Sequence, residues 1–279
     1  MTAHAPQTPQ FGGRPFYGYD SASVQRGYAN RDTVRLADFL VPHLSEGKSV
    51  LDCGCGPGPI TLSFAEIVAP GRVVGIDIEP SMIEQANRLA VDSGLENLEF
   101  QIADIYDLPF EDGEFDVVFS SAVTEHLSDP VRALREILRV TKPGGVGAVA
   151  RTDWSFPFIV PECPELSRFF ELFEGGFRRI GGSLNRGRFL RSHMREAGFD
   201  VIEFETNMSH VLGQDAASAS AEIYIAWIEN VPLFQESIEL GLTTDSELES
   251  MVSGIREWAK HPDAYLSTAR AHAVGVKAD

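Results

Sequence analysis

The chain predicts an α/β fold, a parallel sheet covered by helices on both faces. Between residues 49 and 150, short apolar runs alternate with amphipathic helical patterns at a steady rhythm, the signature of strand–helix units feeding one parallel sheet. Directly after the first apolar run, glycines stand at the alternate positions 54, 56 and 58. The composition, 43% hydrophobic and 23% charged over 279 residues, is ordinary for a globular chain with a full-sized core.

Taken in order, residues 1–22 are expected to be a flexible N-terminal segment, since Pro, Gln, Gly and Thr dominate them as far as residue 15. Phe16, Tyr17 and Tyr19 then bring aromatics that suit either a ligand or the first helix. That helix is expected over 23–44, with Val34, Ala37, Phe39, Leu40 and Leu44 as its apolar face. Val50 and Leu51 open the first strand, and a helix follows from Pro59 to Val68. Arg72–Ile78 reads as a second strand, ending on Asp77. Met82, Ile83, Ala86, Leu89 and Ala90 mark the next helix, which Gly94 stops. Leu98–Ile102, Phe115–Ser120 and Val146–Ala150 supply three more strands. A helix over 130–140 and the turn Lys142-Pro143-Gly144-Gly145 separate the last two. Beyond Arg151 the rhythm breaks. Residues 152–184 are rich in Phe, Trp and Pro, and 215–260 is a second, helical insertion. Between them lie a helix from Asn185 to Ala197 and a strand from Phe199 to Leu212, and Tyr265–Val276 closes the sheet. Residues 23–279 are therefore read as one domain carrying two insertions.

The stretch Leu51-Asp52-Cys53-Gly54-Cys55-Gly56-Pro57-Gly58 is the chemical centre of the chain. Alternate glycines permit φ > 0 and let a ligand approach the main chain without meeting a Cβ. The free N–H groups of the following helix point at the same spot. A nucleotide-like cofactor is expected there. A dinucleotide needs G-x-G-x-x-G, but position 59 is proline and Asp52 would repel a pyrophosphate. No Gly-Lys-Ser/Thr follows for a phosphate loop. Asp77, roughly 20 residues beyond the glycines, sits where a carboxylate grips ribose hydroxyls.

The formal net charge of −18 argues against a nucleic-acid partner, which needs clustered Lys and Arg. Cys53, Cys55 and Cys163 make no disulfide framework. Cys53 and Cys55 lack His or Cys partners at metal-ligand spacing, so no metal is expected. No run approaches the roughly 20 apolar residues of a membrane span, and no signal core opens the chain. A cytoplasmic protein without membrane insertion is expected.

Four segments coincide in order: the glycine stretch, Gly75-Ile76-Asp77, Ala103-Asp104 before Leu108-Pro109-Phe110, and Phe115-Asp116-Val117-Val118. With Leu138-Arg139-Val140 and Lys142-Pro143-Gly144-Gly145, the set resembles the small-molecule class I S-adenosylmethionine (SAM) methyltransferases of the ubiquinone/menaquinone-biosynthesis type. The likeness is strong over about 30–150 and looser over 185–212. It implies a Rossmann-like seven-stranded sheet of order 3-2-1-4-5-7-6, last strand antiparallel, with SAM at the carboxyl ends of strands 1 and 4. By the same resemblance, Gly54, Gly56 and Gly58 lie under the methionine part and Asp52 helps to hold its amino group. Asp77 takes the ribose, Ile78 and Met82 pack on adenine, Asp104 accepts from the adenine amino group with Ile105 on the ring, and Ser120 offers a main-chain carbonyl to the ammonium. Arg31 either pairs with the SAM carboxylate or is a solvated helix residue.

Methyl transfer needs positioning, water exclusion and, for some acceptors, a base. Two residues stand as candidates. His126 follows the fourth strand, and Asp153 follows the fifth; each also has a plain capping role open to it. Tyr17 and Tyr19 are weaker candidates. The two insertions are expected to form a lid over a small, mostly apolar acceptor, with Trp154 and Phe158 shaping it and Gly175-Gly176 and Gly181-Gly182 as hinges. The alternative is that they shield the sheet edge or form a subunit interface, which leaves a homodimer open. A SAM-binding protein without methyl transfer and an NAD-linked oxidoreductase are the competing readings.

Overall fold

A computed structural model describes residues 37–279, together with the backbone of a short antiparallel pair, Gln10–Phe11 and Arg14–Pro15. Arg31, Tyr17, Tyr19 and most of the helix expected over 23–44 lie outside the described residues. What remains of that helix is a 3-10 turn, Asp38–His43, carrying Pro42 inside it and burying Leu40.

Seven strands form one sheet: β1 (Val50–Cys53), β2 (Val73–Asp77), β3 (Leu98–Ile102), β4 (Phe115–Ser121), β5 (Thr141–Val160), β6 (Asp200–Leu212) and β7 (Tyr265–Val276). Their order is 3-2-1-4-5-7-6, as the resemblance implies. Strands β1 to β5 are parallel, and β7 runs antiparallel to both β5 and β6. The helices are α1 (Pro59–Val68), α2 (Pro80–Ser93), α3 (Pro130–Val140), α4 (Pro164–Arg179), α5 (Leu190–Ala197), α6 (Gln214–Asn230), α7 (Pro232–Glu239) and α8 (Asp245–Ala259).

The period of two along the strands sorts the core into two layers. Leu51, Val74, Val118, Val149 and Ala273 face α3 and α5, where Leu134, Ile137, Leu190 and Met194 meet them. Their neighbours Val50, Val73, Val117, Ala148 and Val274 face α1 and α2 through Phe64, Val68, Ile83 and Ala86. Because both faces are covered, the central strands read as unbroken apolar runs.

Three expectations need correction. Strand β5 does not stop at Ala150. It pairs with β7 as far as Val160↔Tyr265, and a bulge between the pairs Asp153↔Ala269 and Phe158↔Ser267 absorbs Pro157. Proline within a sheet belongs at such a bulge, so the Phe-Pro-Phe that reads as loop is strand. Lys142–Gly145 likewise forms a bulge inside β5, between Phe115↔Thr141 and Val117↔Val146. The Gly175-Gly176 pair lies inside α4. A Cβ on Gly176 would run into Leu233 of α7, so this glycine serves close helix packing and not a hinge.

The insertions build a third core of their own. Leu166, Phe169 and Phe170 of α4 interlock with Tyr224 and Ile228 of α6, Leu233 and Phe234 of α7, and Ile255 and Trp258 of α8. Phe169 is fully buried and stacks on Phe173 and Phe234, with ring centroids 5.5 and 5.4 Å apart. This helical layer continues from β5 and lies beside the carboxyl ends of the parallel strands.

Candidate functional site

A cavity of about 290 Å³ opens at the carboxyl ends of β1, β2 and β4. Its floor is the glycine turn. Gly54, Gly56 and Gly58 all take positive φ, at 80°, 55° and 90°. They differ in what surrounds them. A Cβ on Gly54 would strike Val123, and one on Gly58 would press on Phe100, whereas at Gly56 nothing among the described residues stands within 4 Å. That open space is the cavity itself, so only at Gly56 does an absent side chain leave room for a ligand. Helix α1 starts at Pro59 with Gly58 as its N-cap and no side-chain cap, which turns its first N–H groups toward the turn.

Three carboxylates line this cavity, Asp52, Asp77 and Asp104, and no Lys or Arg does among the described residues. Asp52 is 2% exposed and accepts a bond of 2.7 Å from the Thr61 hydroxyl. Burial pushes its pKa from 3.8 to about 7. The Thr61 bond opposes that rise, and the charge of Asp77 adds to it. Asp77 accepts from the N–H of Gly56 at 2.9 Å and from that of Glu79 at 3.0 Å. Burial raises its pKa too, against the pull of those two bonds. Asp104 accepts from the Tyr106 N–H at 2.9 Å. Ile78, Met82 and Ile105 supply apolar wall. A cavity walled by acids suits a cofactor carrying ammonium and sulfonium charge and repels a pyrophosphate, which removes the dinucleotide reading. The residues present fit SAM.

Ser120, expected to offer its main-chain carbonyl, is not itself among the residues that line the cavity. It is 1% exposed, its hydroxyl donates to the Cys53 carbonyl at 2.9 Å, and the cavity wall is formed by its neighbours Ser121 and Ala122. Ala122 has φ 59°, the one non-glycine residue at positive φ among those described. Backbone strain of this kind persists where the surroundings hold it, and it gathers at ligand sites.

A second cavity, about 190 Å³, shares Ser121, Ala122 and His126 with the first. Trp154 of β5, Phe173 and Phe177 of α4, Leu184 and Trp227 of α6 form its apolar wall, and Glu125, Arg151, Thr152 and Arg270 its polar side. His126 is at the junction. Its ring lies 5.0 Å from that of Phe177, and its Nε2 is 3.6 Å from a Glu125 carboxylate oxygen. Glu125 in turn pairs with Arg151 at 2.8 Å, both side chains only 4% exposed. The loop after α4 is tied to the same place, for the Ser183 N–H donates to the Glu125 carbonyl at 2.8 Å.

Asp153 faces elsewhere. Arg188 grips it through two nitrogens, at 2.7 and 3.1 Å, and the Ser155 N–H adds a third bond. Burial alone would raise its pKa, but these donors outweigh it and hold the acid below its ordinary value. Phe158, expected in the acceptor wall, is 63% exposed, while Trp154 does line the cavity and stacks on Phe170. Arg151, Arg270, Phe177 and Trp227 were not foreseen. Arg270 enters through the register that sets it opposite Thr152, and no local sequence signal announces such a pairing.

A family model described as methyltransferase domain matches residues 44–174. Demethylmenaquinone methyltransferase of Lactococcus lactis is 36% identical over 224 residues, 72% of this chain and 85% of its own length. The ltbC protein of Aspergillus luteorubrus, described as a probable methyltransferase, is 28% identical over 90% of this chain and 92% of its own. Other relatives are matched over 44% and 54% of their length. Among solved structures, phosphoethanolamine N-methyltransferase 2 of Haemonchus contortus, bound to S-adenosylhomocysteine, has a TM-score of 0.57. At 18% identity over 88% of this chain and 53% of that one, it shows the shared fold. The chain belongs to the class I SAM-dependent methyltransferases, and SAM is its cofactor.

Proposed function

We propose that the enzyme methylates a small, largely apolar molecule held in the second cavity, and that His126 takes the proton the acceptor loses. One observation carries this reading: two cavities meet at Ser121, Ala122 and His126, one walled by acids and the other by aromatic rings.

On this reading the glycine turn and Asp52 hold the methionine part, Asp77 the ribose, and Ile78, Met82, Asp104 and Ile105 the adenine. Bound SAM supplies a sulfonium methyl carbon, to which the acceptor's lone pair bonds as the carbon–sulfur pair withdraws onto sulfur. The protein's share is alignment and dryness. Residues 23–279 act as one domain whose insertions roof the reaction, and Phe177 and Trp227 of that roof exclude water. Phe177 fixes the His126 ring, and the Glu125 carboxylate beside it favours the imidazolium that proton uptake creates. Asp153 keeps its charge through Arg188 and acts at one remove, by holding the turn at 186–189 against β5. The net charge of −18 supports a small acceptor over a nucleic acid. No helix among the described residues is long and apolar enough to cross a membrane.

Methyl-labelled SAM, offered with a panel of aromatic and aliphatic hydroxy compounds, tests the reading. Label should pass to a small acceptor, and His126→Gln should slow that transfer by about 100-fold or more while SAM affinity holds. Label that reaches no acceptor, despite SAM binding, would favour the alternative of a SAM-binding protein without methyl transfer. A His126→Gln enzyme of normal rate would strip the histidine of its role.

A further inference from the structure

One side-chain bond closes the glycine turn at its base. The hydroxyl of Thr61, the third residue of α1, donates to Oδ2 of Asp52, the third residue of β1, at 2.7 Å. Thr61 is fully buried, and Asp52 is 2% exposed. The two stand nine positions apart, and the positive φ of Gly54, Gly56 and Gly58 folds the chain back so that they meet. Asp52 is also part of the cofactor cavity's wall, and its other oxygen takes no donor from the described residues.

A carboxylate taken out of water needs a group that stabilises its charge. Little around Asp52 does so. In the sheet it is flanked by Gly75 of β2 and Phe119 of β4. Asp77, at the end of β2, carries charge of the same sign, and burial keeps the neighbouring thiols of Cys53 and Cys55 neutral. Asp104 is a third acid in the cavity, and no Lys or Arg lines it among the described residues. Burial therefore favours the neutral acid, and the Thr61 hydroxyl is the group that favours the ionised one. A lysine or arginine in its place would also support the charge, but it would compete with a cationic ligand and repel it. A neutral donor supports the carboxylate and leaves its net charge for the ligand. The bond also fixes the plane of the carboxylate, whose terminal torsion is otherwise broad.

Resting on the reading of Asp52 as the group that meets the SAM ammonium, we infer that Thr61 is a positioning residue for cofactor binding. It orients the Asp52 carboxylate and supports its negative charge, so that the second oxygen is offered to the ammonium.

Calorimetric titrations with SAM between about pH 5.5 and 8.5 test this on the wild type, Thr61→Val, Thr61→Ser, Asp52→Asn and the double variant Asp52→Asn/Thr61→Val. Thr61→Val keeps the shape and removes the donor. It should weaken SAM binding about tenfold at about pH 6 and move the acid limb of affinity up by about one pH unit, the lower end for a hydrogen bond to a charged group. Thr61→Ser, which keeps the hydroxyl, should leave the limb in place. In the Asp52→Asn background, Thr61→Val should change affinity by less than about twofold. A residue that only packed the helix would weaken SAM equally at every pH, and in both backgrounds. An unmoved acid limb in Thr61→Val, a serine variant that behaves like valine, or an undiminished loss in the Asp52→Asn background would overturn the proposal. A valine variant that fails to fold is replaced by Thr61→Ala, for which the same shift is expected and an unmoved limb overturns it. Asp52→Asn keeps the two readings apart. If it binds SAM like the wild type, the ammonium reading of Asp52 falls and this proposal with it. A weakened Asp52→Asn beside an unaffected Thr61→Val strikes Thr61 alone.

Discussion

The two cavities are built in different ways. The cofactor cavity is a product of backbone and strand ends: three positive-φ glycines, acids at the ends of β1 and β2, and a helix start between residues 52 and 82, completed by the segments that follow β3 and β4. The acceptor cavity is assembled from side chains that arrive from β4, β5, α4, α6 and β7, from residue 121 to residue 270. The first depends on local conformation, the second on the helical core behind it. Damage to each should therefore take a different form.

The largest effect is expected in that helical core. Phe169 is fully buried among Phe170, Phe173, Tyr224 and Phe234 and is itself part of neither cavity's wall. Phe169→Ala should cost about 3–5 kcal/mol of stability, read by chemical denaturation. Acceptor turnover should fall with it, because Phe173, Phe177 and Trp227 lose their backing. SAM affinity at low temperature should stay within about twofold. Should SAM affinity fall in step with turnover, the two regions are a single unit and the contrast fails.

Gly56→Val tests the other side. At φ 55° the added Cβ costs about 1–2 kcal/mol of backbone strain, but it meets no atom of the described residues within 4 Å, so a folded variant is expected. Its side chain would occupy the cavity, and SAM affinity should drop by about 100-fold, or roughly 2.7 kcal/mol. Gly58→Val makes the control, because its Cβ would press on Phe100 and Ala86 and should harm folding first. A Gly56→Val protein that binds SAM normally would mean that the turn does not approach the ligand.

This division also explains what the sequence discloses. Strands β1 to β4 and the glycine turn are legible because each is set by neighbours in the chain: a period of two, a positive φ, an acid at a strand end. The sheet order came through the resemblance, and the structure bears it out. Strand β5 misled at both ends, since bulges at 142–145 and 154–157 let Pro143 and Pro157 sit inside a strand. Gly175-Gly176 reads as a hinge until Leu233 is seen packed against it. Trp154 was identifiable as wall but Phe158 was not separable from it, because the bulge between them decides which side chain turns inward. Arg270 depended on antiparallel register between positions 118 apart in the chain (270 − 152 = 118), which no local pattern encodes.

The smallest effect concerns the charge state of the cofactor cavity. Asp52 has a pKa near 7 because it is buried; Thr61, Asp77, Cys53 and Cys55 are its close neighbours, and burial holds both thiols well above their usual range. A raised acid pKa in the fold means that the native state binds the proton more tightly than the unfolded chain does. Its contribution to stability is present in full below the ordinary value of 3.8 and is lost as pH rises through about 7. The ligand-free protein should thus melt at lower temperature at pH 8 than at pH 5, and Asp52→Asn should flatten this part of the slope. Cofactor binding runs the opposite way, for the ammonium of SAM gains from an ionised Asp52. Affinity should tighten by about tenfold per pH unit on the acid side of about 7. It should weaken again where an α-amino group deprotonates, near roughly 7.7–8.0, giving a narrow optimum between the two. Asp52→Asn should abolish the acid limb and leave the alkaline one. Calorimetric titrations between about pH 5.5 and 8.5 read both limbs directly. An acid limb that survives in Asp52→Asn would assign the titration to another group, with Asp77 the nearest, and would shift the ammonium contact away from the end of β1.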